Sequence, residues 1–506
     1  FNQVIEGCTP SEERYLQASA ATLGLSWLAN DLHLNERQDV VPTVVTSLEN
    51  WTLSRELTCR SLIAVSSMAG NPDSTGTLLD AGVVPAIVNS MSKLGHEDVV
   101  SLAGTRALDA LCKTPQGCGN VVYRGGLDVI KRELDACHSE ERMEATLHLV
   151  ETICGSEDSD SARQIMESSD ILPLLVTGME AFPHSLAVQS ASVKALVAMT
   201  QASPGADATD SQWKCALLMK AKGLVEVLTA VLDEETTDRA DVVVNALRVV
   251  SAIVTSNSEL AQQCKEKGVD NSVLNAMTRY PTHTSILQDA AVALRPMTSS
   301  SDVTTLIEQI SPSIPAVQND DQRIATSVGR LLRKLANLSY VDGIMENVDV
   351  PSIATILLEA LTAGDALTDE DVRGPYLGAC VGAMAGLANC GNLAEQELVP
   401  LVAAVVEHLR TALATPGAET AVLQCTTSCA LMAGSVDAAR LMVAAPHHLT
   451  ALNMQVLDNA GNDKYLAFAG LTLLRRLASV DGDKVSEARA VEQCVSLMRQ
   501  HFDAYG

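Results

Sequence analysis

Asp80-Ala81-Gly82-Val83-Val84-Pro85-Ala86-Ile87-Val88-Asn89-Ser90-Met91 is the stretch from which the rest of the chain can be read. A small residue and a glycine lead through two valines to a proline, after which Ile87, Val88, Met91 and Leu94 fall at helical spacing. Proline has no N–H and a φ fixed near the helical value. It therefore suits the first turn of a helix, where that donor would lack a partner in any residue. The phrase marks a helix start.

Outward from it the phrase recurs. Asp39-Val40-Val41-Pro42 precedes it, and Arg124-Gly125-Gly126-Leu127-Asp128, Ser169-Asp170-Ile171-Leu172-Pro173, Lys222-Gly223-Leu224-Val225-Glu226 and Lys267-Gly268-Val269-Asp270-Asn271 follow. It returns as Ser313-Ile314-Pro315, Val348-Asp349-Val350-Pro351, Glu397-Leu398-Val399-Pro400, His448-Leu449-Thr450 and Ala490-Val491-Glu492. Anchored on the proline-equivalent position, the steps are 43, 43, 45, 53, 45, 44, 36, 49, 50 and 42 residues. Self-similarity at this period signals stacked helical repeats, because one such unit cannot bury its apolar face without neighbours.

Each anchored helix is followed by a polar turn and a second amphipathic run, as at 99–111, 143–153, 187–199, 242–254 and 324–338. A short element fits before the next anchor, at 75–80, 118–123, 162–167 and 260–265. Three helices in about 40–47 residues is the armadillo or HEAT format. The anchors resemble the small-Gly-apolar-apolar-Pro start of the second armadillo helix, and Lys334-Leu335-Ala336-Asn337-Leu338-Ser339 resembles the end of the third. The expected fold is all-α, one right-handed α-solenoid of about eleven armadillo-like repeats over 1–506. Second helices are placed near 42, 85, 128, 173, 226, 271, 315, 351, 400, 450 and 492. The run Glu12 to Leu28 reads as an opening third helix and Val485 to Phe502 as a closing second one, so the incomplete ends act as caps, with Trp27 and Phe502 as alternative docking faces.

Composition agrees. A chain of 506 residues that is 47% hydrophobic but only 3% aromatic suits thin layers of Leu, Val and Ala, and lacks the stacking platforms of a single-strand nucleic-acid binder. A net charge of −27 disfavours nonspecific binding to nucleic acid or anionic membrane. Thirteen cysteines occur without a CxxC pair or a zinc-type cluster. Cys425 and Cys429, one turn apart, read as compact core residues. Scattered thiols point to a reducing, intracellular setting, cytoplasmic or cytoskeletal, with a mitochondrial or other organellar location after removal of a targeting peptide as the alternative.

The charge-free window 374–394 contains Pro375, Asn389 and Gly391 and is too short in its apolar part to span a bilayer, which needs roughly 20 residues. Its stripe Gly378, Gly382, Gly386 is expected to bring neighbouring layers close together. Three departures from the repeat, 201–212, 362–372 and 414–419, are read as inserted loops. Pro296 lies in a helical run and is expected to kink it.

No catalytic constellation is found: there is no phosphate loop, GxGxxG, HExxH or GxSxG. Gly117-Cys118-Gly119 reads as a turn, and His447-His448 as a solvated helix start without metal partners. The acidic pairs at 157–158, 234–235 and 320–321 are placed in inter-helix turns, where capping explains several of them. No catalytic residue, metal or cofactor is expected.

The armadillo resemblance implies that third helices line a concave groove, where importin-type receptors carry tryptophan and, four residues on, asparagine. The tryptophan-equivalent positions here are Leu23, Ile63, Arg106, His148, Lys194, Arg248, Val292, Arg333, Ala385, Cys429 and Thr472, none of them tryptophan; asparagine follows only as Asn337 and Asn389. An importin-type receptor for basic peptides is therefore disfavoured. Eleven positions should carry about one Lys or Arg at the chain's own frequency, yet four do. Arg106, His148, Lys194, Arg248 and Arg333, with Asn337 and Asn389, are the candidate groove residues, and an extended acidic segment is the candidate occupant. The leading functional expectation is a non-enzymatic protein–protein scaffold, a structural or adaptor subunit of a ciliary, cytoskeletal or organellar assembly. The alternative is an armadillo-type transport receptor or chaperone-like adaptor for acidic segments. Partners are expected to be proteins in a stoichiometric complex, without nucleic acid or a transmembrane segment.

Overall fold

The computed structural model describes residues 41–482 apart from 51–53, 71, 137–138, 169, 202–207, 235–238, 281–282, 342, 391–392, 445–446 and 461–462. The expected opening and closing helices, the anchor near 492, Leu23, Trp27 and Phe502 lie outside the described residues. All regular elements among the described residues are helical, and the chain divides into two compact units at Val269/Asp270.

In the first unit, second helices are α1 Val41–Asn50, α4 Val83–Leu94, α7 Leu127–Ala136, α10 Ile171–Ala181 and α13 Leu224–Asp233. Third helices are α2 Arg55–Met68, α5 Asp98–Leu111, α8 Glu140–Cys154, α11 Leu186–Thr200 and α14 Ala240–Ser256. The short first helices are α3 Pro72–Asp80, α6 Pro115–Val121, α9 Ser159–Glu167, α12 Ala208–Leu218 and α15 Ser258–Glu266. Helices of one kind pack against the next of their kind, so α2–α5–α8–α11–α14, α1–α4–α7–α10–α13 and α3–α6–α9–α12 form three ladders. The second unit holds α16 Val269–Arg279, α17 Thr284–Leu294, α18 Ser300–Ile310, α19 Ile314–Gln318, α20 Gln322–Leu338, α21 Val350–Gly364, α22 Glu370–Asn389, α23 Glu395–Ala414, α24 Glu419–Met432, α25 Val436–Val443, α26 Leu449–Asn459 and α27 Lys464–Ala478. Its third helices stack as α20–α22–α24–α27 and its second helices as α19–α21–α23–α26.

Local chemistry explains these boundaries. Where the anchor carries a glycine, the junction before the second helix turns left-handed there, as at Gly82 with φ 80° and Gly223 with φ 89°, where a side chain would be strained. In the last described repeat His448 takes that place at φ 46°. Several third helices start on side-chain caps: Ser139 accepts from the Arg142 N–H, Ser185 from Val188, and Asp321 from Arg323 and Ile324. Asp158 likewise caps α9, while Asp320 instead accepts from the Thr368 N–H and hydroxyl at 3.0 and 2.6 Å. Between layers sit fully buried apolar side chains such as Leu62, Leu108, Leu147, Leu196 and Leu247, each worth about 1.5–3 kcal/mol of transfer free energy.

Several local expectations change. Pro296 ends a helix rather than kinking one: α17 stops at Leu294, Arg295 keeps a helical conformation as its cap, and Pro296 has no N–H with which to continue the ladder. Pro400 falls inside α23, whose start is drawn back to Glu395 by Glu397, which accepts the Ala394 N–H at 3.0 Å. Residues 362–372 are mostly helical, since Thr362–Gly364 complete α21 and Glu370–Val372 open α22 on an Asp369 cap. The acidic cluster favours a helix start, so the extra length goes into longer helices. Residues 208–212 belong to α12, held by an Asp210–Lys214 pair at 3.2 Å, and only 415–418 separate α23 from α24. The glycine stripe of α22 packs on neighbours: Ala336 and Ser339 lie against Gly382 and Gly386, and Gln424 against Gly378. No helix among the described residues is long and apolar enough to cross a membrane.

Candidate protein-binding grooves

Stacking third helices side by side leaves one face of each without a covering layer. In the first unit that face forms an open groove of ≈ 1100 Å³ along α5, α8 and α11, reaching Asn245 of α14. Arg106, His148 and Lys194 line it together. Arg248 is exposed one turn beyond Asn245, with Nη1 3.5 Å from its Oδ1. The carboxylates of Asp109, Glu141, Glu144, Glu151 and Glu157 line the same groove, so the basic residues stand in a field of mixed sign. His148 is clasped by them: its Nδ1 lies 3.1 Å from Glu151 and its Nε2 3.9 Å from Glu144. The groove rests on a buried ion cluster. Arg142 of α8 donates to Glu133 of α7 at 2.5 Å and to Asp98 of α5 at 2.7 Å. Hydrogen bonds and opposite charge hold the Arg142 guanidinium above its ordinary value against the opposing effect of burial.

The second unit differs. Two adjoining clefts of ≈ 450 and ≈ 290 Å³ run along the faces of α17, α20, α22, α24 and α27. Arg333 and Asn337 line one and Asn389 the other. Asn337 is committed to packing, since its Nδ2 donates to the Leu274 carbonyl at 3.0 Å and the Thr278 hydroxyl at 2.8 Å. Leu287, Val292, Tyr340, Leu431 and Phe468 give these clefts an apolar wall. Val292 and Phe468 are half exposed, at 50% and 54%. Burial draws the Arg333 guanidinium below its ordinary value, with Arg330 adding to the effect, and burial with Arg475 does the same to Arg476.

Two of the tryptophan-equivalent positions do not face a groove: Ala385 and Cys429 are fully buried. On α22 and α24 the face instead carries Gly378 and Gly382, and Leu423, Thr427 and Leu431. The residues that sequence reasoning missed, Phe468 and Arg476, stand four before and four after Thr472, so an i, i±4 extension from that position would have found them. No group of three or more metal-ligating side chains occurs among the described residues. The arrangement offers area and charge rather than converging reactive groups.

Triplets of helices stacked like by like decide the architecture. Each unit is built of armadillo-like repeats. No family model matches the chain. U-box domain-containing protein 19 of Arabidopsis thaliana is 26% identical over 163 residues, which are 32% of this chain and 24% of that protein, so the chain spans about a quarter of the length of the curated relative it matches. Among solved structures, a designed armadillo repeat protein matches with a TM-score of 0.43 and 20% identity over 51% of this chain and all of its own. A computationally designed armadillo repeat protein for modular peptide recognition matches at 0.42 and 19%, covering 51% of this chain and 100% of that one. A designed armadillo repeat protein in complex with the peptide (KR)4 matches at 0.43 and 19%, covering 51% and 99%.

Proposed function

We propose that this armadillo-like chain is a non-enzymatic protein-interaction scaffold, an adaptor or structural subunit that holds segments of partner proteins against the uncovered faces of its third helices. The observation that supports this is the open first-unit groove, where side chains from four successive repeats meet solvent along one face. Such a surface supplies many weak, register-setting contacts over an extended segment and no enclosed pocket for a small substrate. Arg106, His148, Lys194, Arg248, Arg333, Asn337 and Asn389 are proposed as contact residues, with an intracellular setting as part of the same reading. Copurification from cells followed by cross-linking and mass spectrometry tests it. Cross-links from partners to α5, α8 and α11 are expected, and the double change Arg106→Glu, Arg248→Glu weakens capture and flattens its salt dependence. A stoichiometric complex that resists high salt marks a fixed subunit, and a salt-labile one an exchanging adaptor. Unchanged capture by the double variant, with cross-links elsewhere, rejects the groove reading.

A further inference from the structure

Twenty-four residues line the two second-unit clefts, and none of them is acidic. At the chain's own frequency of 62 acids in 506 residues, about three would be expected. The charged lining residues are Arg333 and Arg476. Neither makes an ion pair with a carboxylate among the described residues. Arg333 Nη2 donates to the Pro375 carbonyl at 3.3 Å, and Arg476 Nη1 to the carbonyls of Ala430 and of Leu431, the latter at 3.3 Å. A partly desolvated guanidinium served only by neutral carbonyls has lost hydration that a carboxylate would restore through a charge-assisted, bidentate pair. Between the two arginines lies the concave apolar wall that leaves Phe468 and Val292 half exposed, the signature of a surface made to be covered.

Resting on the scaffold reading, we propose that the second-unit clefts take an acidic, aliphatic protein segment, with carboxylates on Arg333 and Arg476 and aliphatic side chains on the wall of Leu287, Leu431 and Phe468. The ladder sets its length. Arg333 is on α20 and Arg476 on α27, three packing steps apart through α22 and α24. Steps of about 8–10 Å put the two charges about 25 Å apart, which an extended chain spans in about eight residues. The first-unit groove carries five carboxylates among its basic residues and so lacks this acid-free lining.

Fluorescence anisotropy on the full chain tests this with three labelled peptides: one with glutamates eight residues apart and leucine and isoleucine between, the same with the glutamates four apart, and the same with lysines at eight. The eight-spaced glutamate probe binds best. Arg333→Glu weakens it at least tenfold and reduces its salt dependence, and Phe468→Ser weakens it with the salt dependence kept. Lys222→Glu, on an exposed turn of the first unit that lines neither the groove nor the clefts, leaves it unchanged. Circular dichroism confirms that each variant is folded. Equal or tighter binding of the lysine probe, or full affinity in folded Arg333→Glu, overturns the proposal. Sensitivity to Arg106→Glu in place of Arg333→Glu overturns it while leaving the scaffold reading standing. If no probe binds, the segment class is wrong and the scaffold reading is judged by copurification alone.

Discussion

Arg142→Met removes the cation at the centre of the cluster beneath the first-unit groove. The Arg142 and Glu133 side chains are 4% and 1% exposed, and the guanidinium bonds Glu133, Asp98 and, at 3.4 Å, the Gly95 carbonyl. Without it, Glu133 keeps only the Ser101 hydroxyl and the half-exposed Arg132, 3.4 Å away. Breaking a buried pair by removing one partner costs about 3–5 kcal/mol. Arg132 lies close enough to offset part of this, which places the expectation at about 3 kcal/mol, a factor of roughly 100 in the local opening equilibrium. Repeat arrays unfold piecewise, so the assay is hydrogen exchange of α5, α7 and α8 rather than a single melting curve. Protection of α7 and α8 falls about 100-fold, while helices of the second unit are unaffected. The double variant Glu133→Leu, Arg142→Met regains most of it, because no charge is left buried. Full protection in the single variant, or a double variant weaker than the single, refutes the reasoning.

Three further tests follow from local geometry. Gly386→Ala places a methyl 1.8 Å from the buried Ser339 Oγ and costs about 1–3 kcal/mol, whereas Gly382→Ala meets only the Ala336 methyl at 3.6 Å and is nearly neutral; equal effects in urea unfolding would reject the packing assigned to α20 and α22. Burial lowers the His408 pKa from 6.5, against a nearby Asp365 and with help from Arg373, so the unfolded chain binds its proton more readily. Stability is then complete above about pH 6.5 and declines as pH falls through the lower folded value; His408→Gln flattens that decline, and an unaltered slope between about pH 7 and 5 speaks against it. Burial pushes the Cys154 and Cys425 thiols up to about 12, so iodoacetamide at about pH 8 leaves both unlabelled until the protein is unfolded. Native labelling of Cys425, read by mass spectrometry, contradicts its place in the core.

Much of the fold is legible one repeat at a time. The glycine of those anchors that carry one, as at Gly82 and Gly223, shows where the backbone turns left-handed, and Pro85 and Pro351 show where the next helix starts. Third helices announce themselves by apolar spacing and, in several repeats, by a capping Ser or Asp. Pro296, Pro400 and residues 362–372 were harder, because a proline or an acidic cluster marks a helix end, start or turn according to what lies four residues away. Ala385 and Cys429 show the limit more sharply. A slip of one residue rotates a helix position by about 100°, enough to turn a groove residue into a core one.

The groove chemistry was beyond one-dimensional reading for a related reason. Arg106, His148 and Lys194 were visible as a basic series, but the acids beside them, such as Asp109 and Glu144, come from neighbouring turns and adjacent helices. Phe468, Val292 and Tyr340 meet in one cleft although 176 residues separate Val292 from Phe468. Sequence alone determined the helical class, the period and the positions where backbone conformation is constrained, since these depend on each residue and its near neighbours. Which charges share a groove, and which glycines touch which helix, only tertiary packing decided, because those relations arise between repeats about 45 residues apart, where no local propensity reaches.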